Sequence, residues 1–278
     1  IVVPLGNPIR KHIGRSLEIA NVEHVFHDKI KVFEYEKRAV NATHLLLKPL
    51  IKHKKAGLII FSSGTTGDPK AIVHDMDRLI GRYEKLRPAY NALTFLLIDH
   101  IGGINTLFRD LSSGGSLITV TDRSPESICR AIQNHNIELL PTTPSFLRML
   151  LMSGCDEAYD LSSLKVISYG AERMREETLK SLNKVFPDKT FKQTYGLAEL
   201  EIFGVKSKSN TCLWLEITSK DIAYKVVDET LWIKSDRHML GYLNAPNPFD
   251  DEGWFNTEDK VEVDGKYLKI LGRESSII

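Results

Sequence analysis

The sequence predicts an α/β protein: a mostly parallel sheet flanked by helices, followed by a small antiparallel β-subdomain. Three observations carry this. From residue 57 to about residue 200, short apolar runs alternate with amphipathic helical patterns, which calls for parallel strands with helices on the sheet faces. From about residue 211 the texture changes to short alternating segments joined by polar turns, which read as antiparallel strands. The 278 residues are 42% hydrophobic and 26% charged, enough to bury a sizeable core.

The elements follow in order. Residues 1–56 form a short N-terminal segment, irregular or mixed. "GLIIFS" at 57–62 is a buried strand. "MDRLIGRYEKL" places Met76, Leu79, Ile80, Tyr83 and Leu86 roughly on one helical face. "LTFLLI" at 93–98 and "SLITV" at 116–120 are strands, the second ended by Asp122. Ser124 with Pro125 just inside opens a helix over "SPESICRAIQNHN", and "IELLPTTP" follows as a strand. "LKVISYG" is a strand and "MREETLKSLNKVF" a helix. "CLWLEIT", "IAYKVVD", "TLWIKSD", "KVEVDG" and "KYLKILG" are antiparallel strands. "VDGKY" is a tight hairpin with Asp264-Gly265 as the turn pair. The expected subdomains are 57–210, the α/β part, and 211–270, the β-subdomain.

Bulk properties exclude several classes. A net charge of +1 gives no general attraction to nucleic acid or an anionic membrane. "KHKK" at Lys52–Lys55 is a short solvated run. Cys129, Cys155 and Cys212 are odd in number and widely spaced, which fits free thiols in a reducing compartment. No apolar run reaches about 18 residues, so no transmembrane helix is expected. The start has no signal-peptide pattern and no initiator Met, so a fragment or processed chain in the cytoplasm is expected. His24 and His27 lack a third ligand in "VEHVFHDK", and no metal site is expected there.

The stretch "IIFSSGTTGDPK" carries the chemistry. A strand empties into Ser62, Ser63, Gly64, Thr65, Thr66 and Gly67, and the loop ends on Lys70. Clustered backbone N–H groups, hydroxyls and one cation can hold phosphate oxygens; a plain turn is the alternative. Pro69 stands where a GxxxxGK[ST] loop has its second glycine, which argues against that class of NTPase.

"SSGTTGDPK" resembles the signature loop of the adenylate-forming superfamily: acyl-CoA synthetases, acyl-AMP ligases, luciferases and peptide-synthetase adenylation domains. Further resemblances follow in the family's order: "DHIGGINTL" at 99–107, "SYGAE" at 168–172, "QTYGLAE" at 193–199, "GWFNTED" at 253–259 and "ILGRESSI" at 270–277. The resemblance covers residues 57–278. It implies ATP-dependent activation of a carboxylic acid to an acyl-adenylate, then transfer to CoA or a carrier-protein pantetheine.

It also implies roles. The 62–70 loop would hold the β- and γ-phosphates, with Thr65, Lys70 and Glu199 as catalytic residues and Glu199 ligating Mg²⁺. Tyr195 would stack on adenine beside Gln193, Thr194 and Gly196, with Gly170, Ala171 and Glu172 bordering the base. Asp259 would take the ribose hydroxyls, and Arg273 the ribose or phosphate. The acyl pocket would lie beside His100–Leu107, with Gly103, Phe146, Tyr169 and Gly170, and be mostly apolar. His100 speaks against α-amino acids, which family members tend to meet with aspartate; a plain core histidine is equally open.

Three departures stand out. Ala198 replaces a frequent phosphate-binding threonine. Only 61 residues precede the loop. The chain stops at the family's hinge, with Ser275 the hinge residue and 271–278 a hinge remnant. A mobile C-terminal lid carrying the adenylation lysine is therefore expected on another stretch of chain or a second polypeptide. The alternative is a non-catalytic nucleotide- or acyl-binding module.

Overall fold

A computed structural model describes residues 1–5, 13–29, 32–39, 44–62 and 69–273, with the backbone alone for 27–29 and 32–34. The chain divides into two compact units, residues 1–82 with 238–248 and residues 83–237 with 249–278.

The first unit is built on a three-stranded antiparallel sheet of Gly241–Tyr242, Lys70–Asp75 and Gly57–Ser62. The apolar runs at 57–61 and 71–73 supply its core: Ile59, Phe61, Ala71 and Val73 are buried with Leu47 and Leu50. Here the structure corrects the sequence reading. The strand Gly57–Ser62 lies outside the parallel sheet, and the chain after the loop returns as its partner strand, with Ser62 opposite Lys70. "KAIVHD" has four central residues able to pack on a sheet, yet charged ends disguised it as a link. The expected helix over 76–86 is also shorter. Asp75 caps it by accepting from Asp77 N at 2.9 Å, but the α-helix spans only Met76–Ile80, followed by a 3₁₀ turn, Gly81–Tyr83. Leu79 is buried, whereas Leu86 is exposed. Residues 1–56 hold the helix Ile13–Ile19, a hairpin of His24–Lys29 with Val32–Lys37, and the helix Lys48–Lys52.

The second unit holds a five-stranded parallel sheet in the order Ser116–Ile118, Asn91–Leu93, Leu139–Thr142, Val166–Tyr169, Thr190–Gln193. Helices Pro125–His135, Pro144–Ser153 and Glu176–Val185 pack on it through Ile128, Ile132, Leu147, Leu150, Leu179 and Leu182, all buried. Ser124 caps the first of these by accepting from Ser127 N at 3.3 Å, and Asn136 ends it in the left-handed conformation, φ 47°. The strand expected at 93–98 sits earlier, at Asn91–Leu93. The apolar residues after it form a turn whose Phe95 packs on Phe146 at 4.6 Å between centroids.

A six-stranded antiparallel sheet completes the unit, in the order Val205–Ser207, Trp214–Ile217, Tyr267–Arg273, Phe255–Asp264, Thr230–Ser235, Ile222–Val227. Leu215, Leu231, Ile233, Val261 and Leu268 form its core. The hairpin read from "VDGKY" is present, one residue out of register: Asp264 pairs with Tyr267, so Gly265-Lys266 is the turn pair. Gly265 takes φ 58°, which a II′ turn asks of its first central residue. Among the described residues, no helix is long and apolar enough to cross a membrane.

Candidate nucleotide pocket

A pocket of about 460 Å³ opens in the second unit at the carboxyl ends of two adjacent parallel strands, Val166–Tyr169 and Thr190–Gln193. Open α/β sheets bind ligands at this end, because the connecting loops there are free to be shaped without disturbing the sheet. Residues 171–174 form one wall, 193–197 the floor, and Asp259, Ile270, Gly272 and Arg273 of the antiparallel sheet the opposite wall.

The loops are held tightly. Thr194 donates twice to the carbonyl of Tyr169, from its N–H at 2.8 Å and its hydroxyl at 3.1 Å. That close approach demands glycine at 170, since a Cβ there would lie 2.2 Å from Thr194 Oγ1 and 2.9 Å from its carbonyl oxygen. Ala171 follows at φ 66°, a left-handed conformation that costs a non-glycine residue about 1 kcal/mol. Glu172 anchors this loop by accepting from Ser145 N at 3.0 Å, at the start of helix Pro144–Ser153. Gln193 carries a buried side-chain oxygen without a hydrogen-bond partner among the described residues. An orphan acceptor in a pocket is suited to an amino group.

Tyr195, Asp259 and Arg273 converge. The Tyr195 ring meets Phe203 edge-on, 5.6 Å between centroids. Its hydroxyl donates to Asp259 Oδ2 at 2.6 Å. Strand alternation explains how a carboxylate in an acidic string turns inward. Phe255, Thr257, Asp259 and Val261 share the buried face, and Asp259 is only 8% exposed. Its N–H donates to Thr257 Oγ1 at 3.1 Å. Arg273 stands directly across the strand pair, with Nε 3.7 Å from Asp259 Oδ1. Burial raises the Asp259 carboxyl above the ordinary range, outweighing the Tyr195 hydrogen bond and the Arg273 charge. Burial first, then the Asp259 charge, pushes the Tyr195 phenol well above its usual value. A carboxylate accepts about four hydrogen bonds, so Asp259 keeps acceptor capacity beyond Tyr195.

The remaining candidates are placed as follows. Gly170, Ala171, Glu172, Gln193, Thr194, Tyr195, Gly196, Asp259 and Arg273 gather at this pocket. Glu199 sits in the turn 198–200 between the paired strands Gly196–Leu197 and Glu201–Ile202. His100 precedes the helix Ile101–Ser112, exposed, its Nε2 3.8 Å from Asp99 Oδ1. Gly103 lies against the preceding turn, where a Cβ would come within 1.9 Å of the Leu97 carbonyl oxygen. Phe146 and Tyr169 are 1% and 2% exposed and belong to the packed core. Ser62 and Lys70 belong to the first unit, with Lys70 Nζ 5.3 Å from the Tyr242 ring centroid. Ser63, Gly64, Thr65, Thr66 and Gly67 lie outside the described residues. Among those described, no three His, Cys, Asp or Glu side chains form a metal-binding group. Sequence reasoning missed the Tyr195–Asp259 bond, for which the in-phase Phe, Thr, Asp and Val of residues 255–261 were the available signal.

Residues 12–243 match the AMP-binding enzyme family. The chain is 28% identical to "4-coumarate--CoA ligase 4" of Arabidopsis thaliana, covering 79% of this chain and 44% of that protein. It is 26% identical to "Fatty acid--[acyl-carrier-protein] ligase MmaC" of Mycobacterium marinum, covering 79% and 49%. The chain thus spans about half the length of these relatives. Its fold is that of ATP-bound MatB from Rhodopseudomonas palustris, at a TM-score of 0.67 and 20% identity over 80% of this chain and 48% of that one. It is also that of an Arg-to-Lys variant of E. coli MenE with bound OSB-AMS, at a TM-score of 0.70 and 20% identity over 99% and 61%. With the family matched over most of its length, this chain belongs to the AMP-binding enzymes.

Proposed function

We propose that this chain is the nucleotide- and acid-binding core of a ligase that activates a carboxylic acid with ATP and passes the acyl group to a thiol. The observation that carries the reading is the convergence of Tyr195, Asp259 and Arg273 on the pocket at the strand ends. Asp259 offers acceptors to the ribose hydroxyls, and Arg273 supplies a fixed charge at ribose or phosphate. The orphan oxygen of Gln193 accepts from the adenine amino group, and the 170–172 main chain borders the base. Tyr195 contributes its ring to the base and its hydroxyl to Asp259. The loop 62–70, with Thr65 and Lys70, holds the β- and γ-phosphates.

In the reaction a carboxylate oxygen bonds to the α-phosphorus while the bond to the leaving pyrophosphate breaks. The protein's part is mainly positioning and charge neutralisation. Mg²⁺ prefers one or two carboxylates with phosphate oxygens and water. The carboxylate of Glu199, which belongs to no group of three His, Cys, Asp or Glu side chains among the described residues, suits that mode. The acid lies beside His100 and Gly103, and the named relatives favour CoA or an acyl-carrier protein as acceptor.

A thermal-shift screen of carboxylic acids with ATP and Mg²⁺ tests the proposal. Stabilisation that needs acid and ATP together supports it. Stabilisation by ATP alone, whatever acid is added, supports a binding module instead.

A further inference from the structure

We infer, resting on the nucleotide reading of the pocket, that Arg173 is a further base-binding residue whose guanidinium lies on the adenine face away from Tyr195. Arg173 lines the pocket from the wall 171–174. Its side chain reaches the opposite wall, with Cδ 3.9 Å from the point where a Cβ on Gly272 would stand. Gly272 is itself in the lining and takes φ 115°, a conformation open to glycine and strained for other residues. Position 272 thus has no side chain of its own, and the stem of Arg173 occupies the space beside it. One side chain bridges the two walls.

This cation is uncommitted. The charged side chains in the lining are Glu172, Arg173, Asp259 and Arg273. Glu172 accepts from Ser145 N at 3.0 Å. Asp259 accepts from the Tyr195 hydroxyl at 2.6 Å and faces Arg273 at 3.7 Å. Arg173 is exposed, and among the described residues it makes no hydrogen bond, ion pair or ring contact. Holding a long side chain across a pocket costs rotamer entropy, here without a protein partner for its head group. A ligand beneath it would supply one.

The surroundings identify which part of a nucleotide that is. Arg173 follows directly on 170–172, the main chain proposed to border the base. Beside it the lining is apolar, with Met174, Leu197, Leu213 and Ile270, which suits a flat heterocycle and would leave a phosphate without donors. A guanidinium is planar and stacks on an aromatic face without needing a carboxylate. Tyr195 offers its ring from the floor, so the base would be held between a phenol and a guanidinium.

The test is calorimetric titration of the full chain with adenosine, AMP and ribose 5-phosphate, in wild type, Arg173→Ala and Arg173→Lys. Because the side chain is exposed and unpaired among the described residues, both variants should melt as wild type does. In Arg173→Ala, adenosine and AMP should each bind roughly 3- to 30-fold more weakly, by the same factor, with ribose 5-phosphate unchanged. Arg173→Lys, which keeps the charge and loses the plane, should recover only part of that loss. Adenosine unaffected while AMP weakens would overturn the inference, assigning Arg173 to the phosphate. Full affinity in Arg173→Lys, or no change for any probe in Arg173→Ala, would overturn it too and leave the nucleotide reading standing. A wild-type chain that bound neither adenosine nor AMP would refute the nucleotide reading itself, and the inference with it.

Discussion

Tyr195→Phe isolates the bond on which the pocket wall is built. The substitution removes one hydroxyl and leaves the ring against Phe203, so no cavity opens and the apolar packing is kept. What is lost is a 2.6 Å hydrogen bond to a carboxylate that is 8% exposed. Hydrogen bonds to charged groups contribute about 1.5–3 kcal/mol. Asp259 would retain Arg273 at 3.7 Å, and its raised carboxyl pKa would rise further, because the lost bond is one that lowers it. Urea unfolding at neutral pH should show a lower midpoint with an unchanged slope, worth about 2 kcal/mol. A double-mutant cycle with Asp259→Asn separates this bond from general loosening. A coupling energy of about 1.5 kcal/mol or more is expected; a value below about 0.3 kcal/mol would refute the claim that the two groups support one another.

Other expectations follow from the same geometry. Asp110 has a carboxyl raised from 3.8 to about 6, so its stability contribution is full below pH 4 and is lost as pH rises through 6. Relative to Asp110→Asn, wild type should lose up to ~3 kcal/mol between pH 4 and 7, and parallel pH profiles for the two proteins would contradict this. Gly170→Ala should cost 1–3 kcal/mol or more by overpacking. Thr194→Ala should rescue it only partly, because the Thr194 carbonyl oxygen at 2.9 Å remains; thermal melts of the two single variants and the double decide. Glu172→Ala removes the acceptor for Ser145 N and should cost about 0.5–1 kcal/mol, read as a lower denaturant midpoint.

How much of this was legible in the sequence depended on how local the signal was. Ser124-Pro125 announced a helix start, and the helix is there. The strands at 139–142 and 166–169 follow the apolar runs read there, whereas the strand at 190–193 was not read. Helix Ile101–Ser112 was not legible, because the Gly102-Gly103 pair has poor helix propensity. The close approach of Leu97 that demands Gly103 is a tertiary fact. Gly57–Ser62 read correctly as a strand but joined the wrong sheet, since an apolar run does not name its partner. In the site, motif order gathered the residues that line the pocket. Phe146 and Tyr169, read near the same motifs, are buried in the core.

The central claim is that Asp259 holds the nucleotide's ribose in the pocket at the strand ends. Calorimetric titration of AMP into wild type and Asp259→Ala tests it most directly, with urea unfolding of the variant as the control for a folded state. Loss of a charged acceptor predicts AMP binding weaker by roughly 10- to 100-fold, equivalent to about 1.5–3 kcal/mol. A folded Asp259→Ala protein that bound AMP with wild-type affinity would contradict the account.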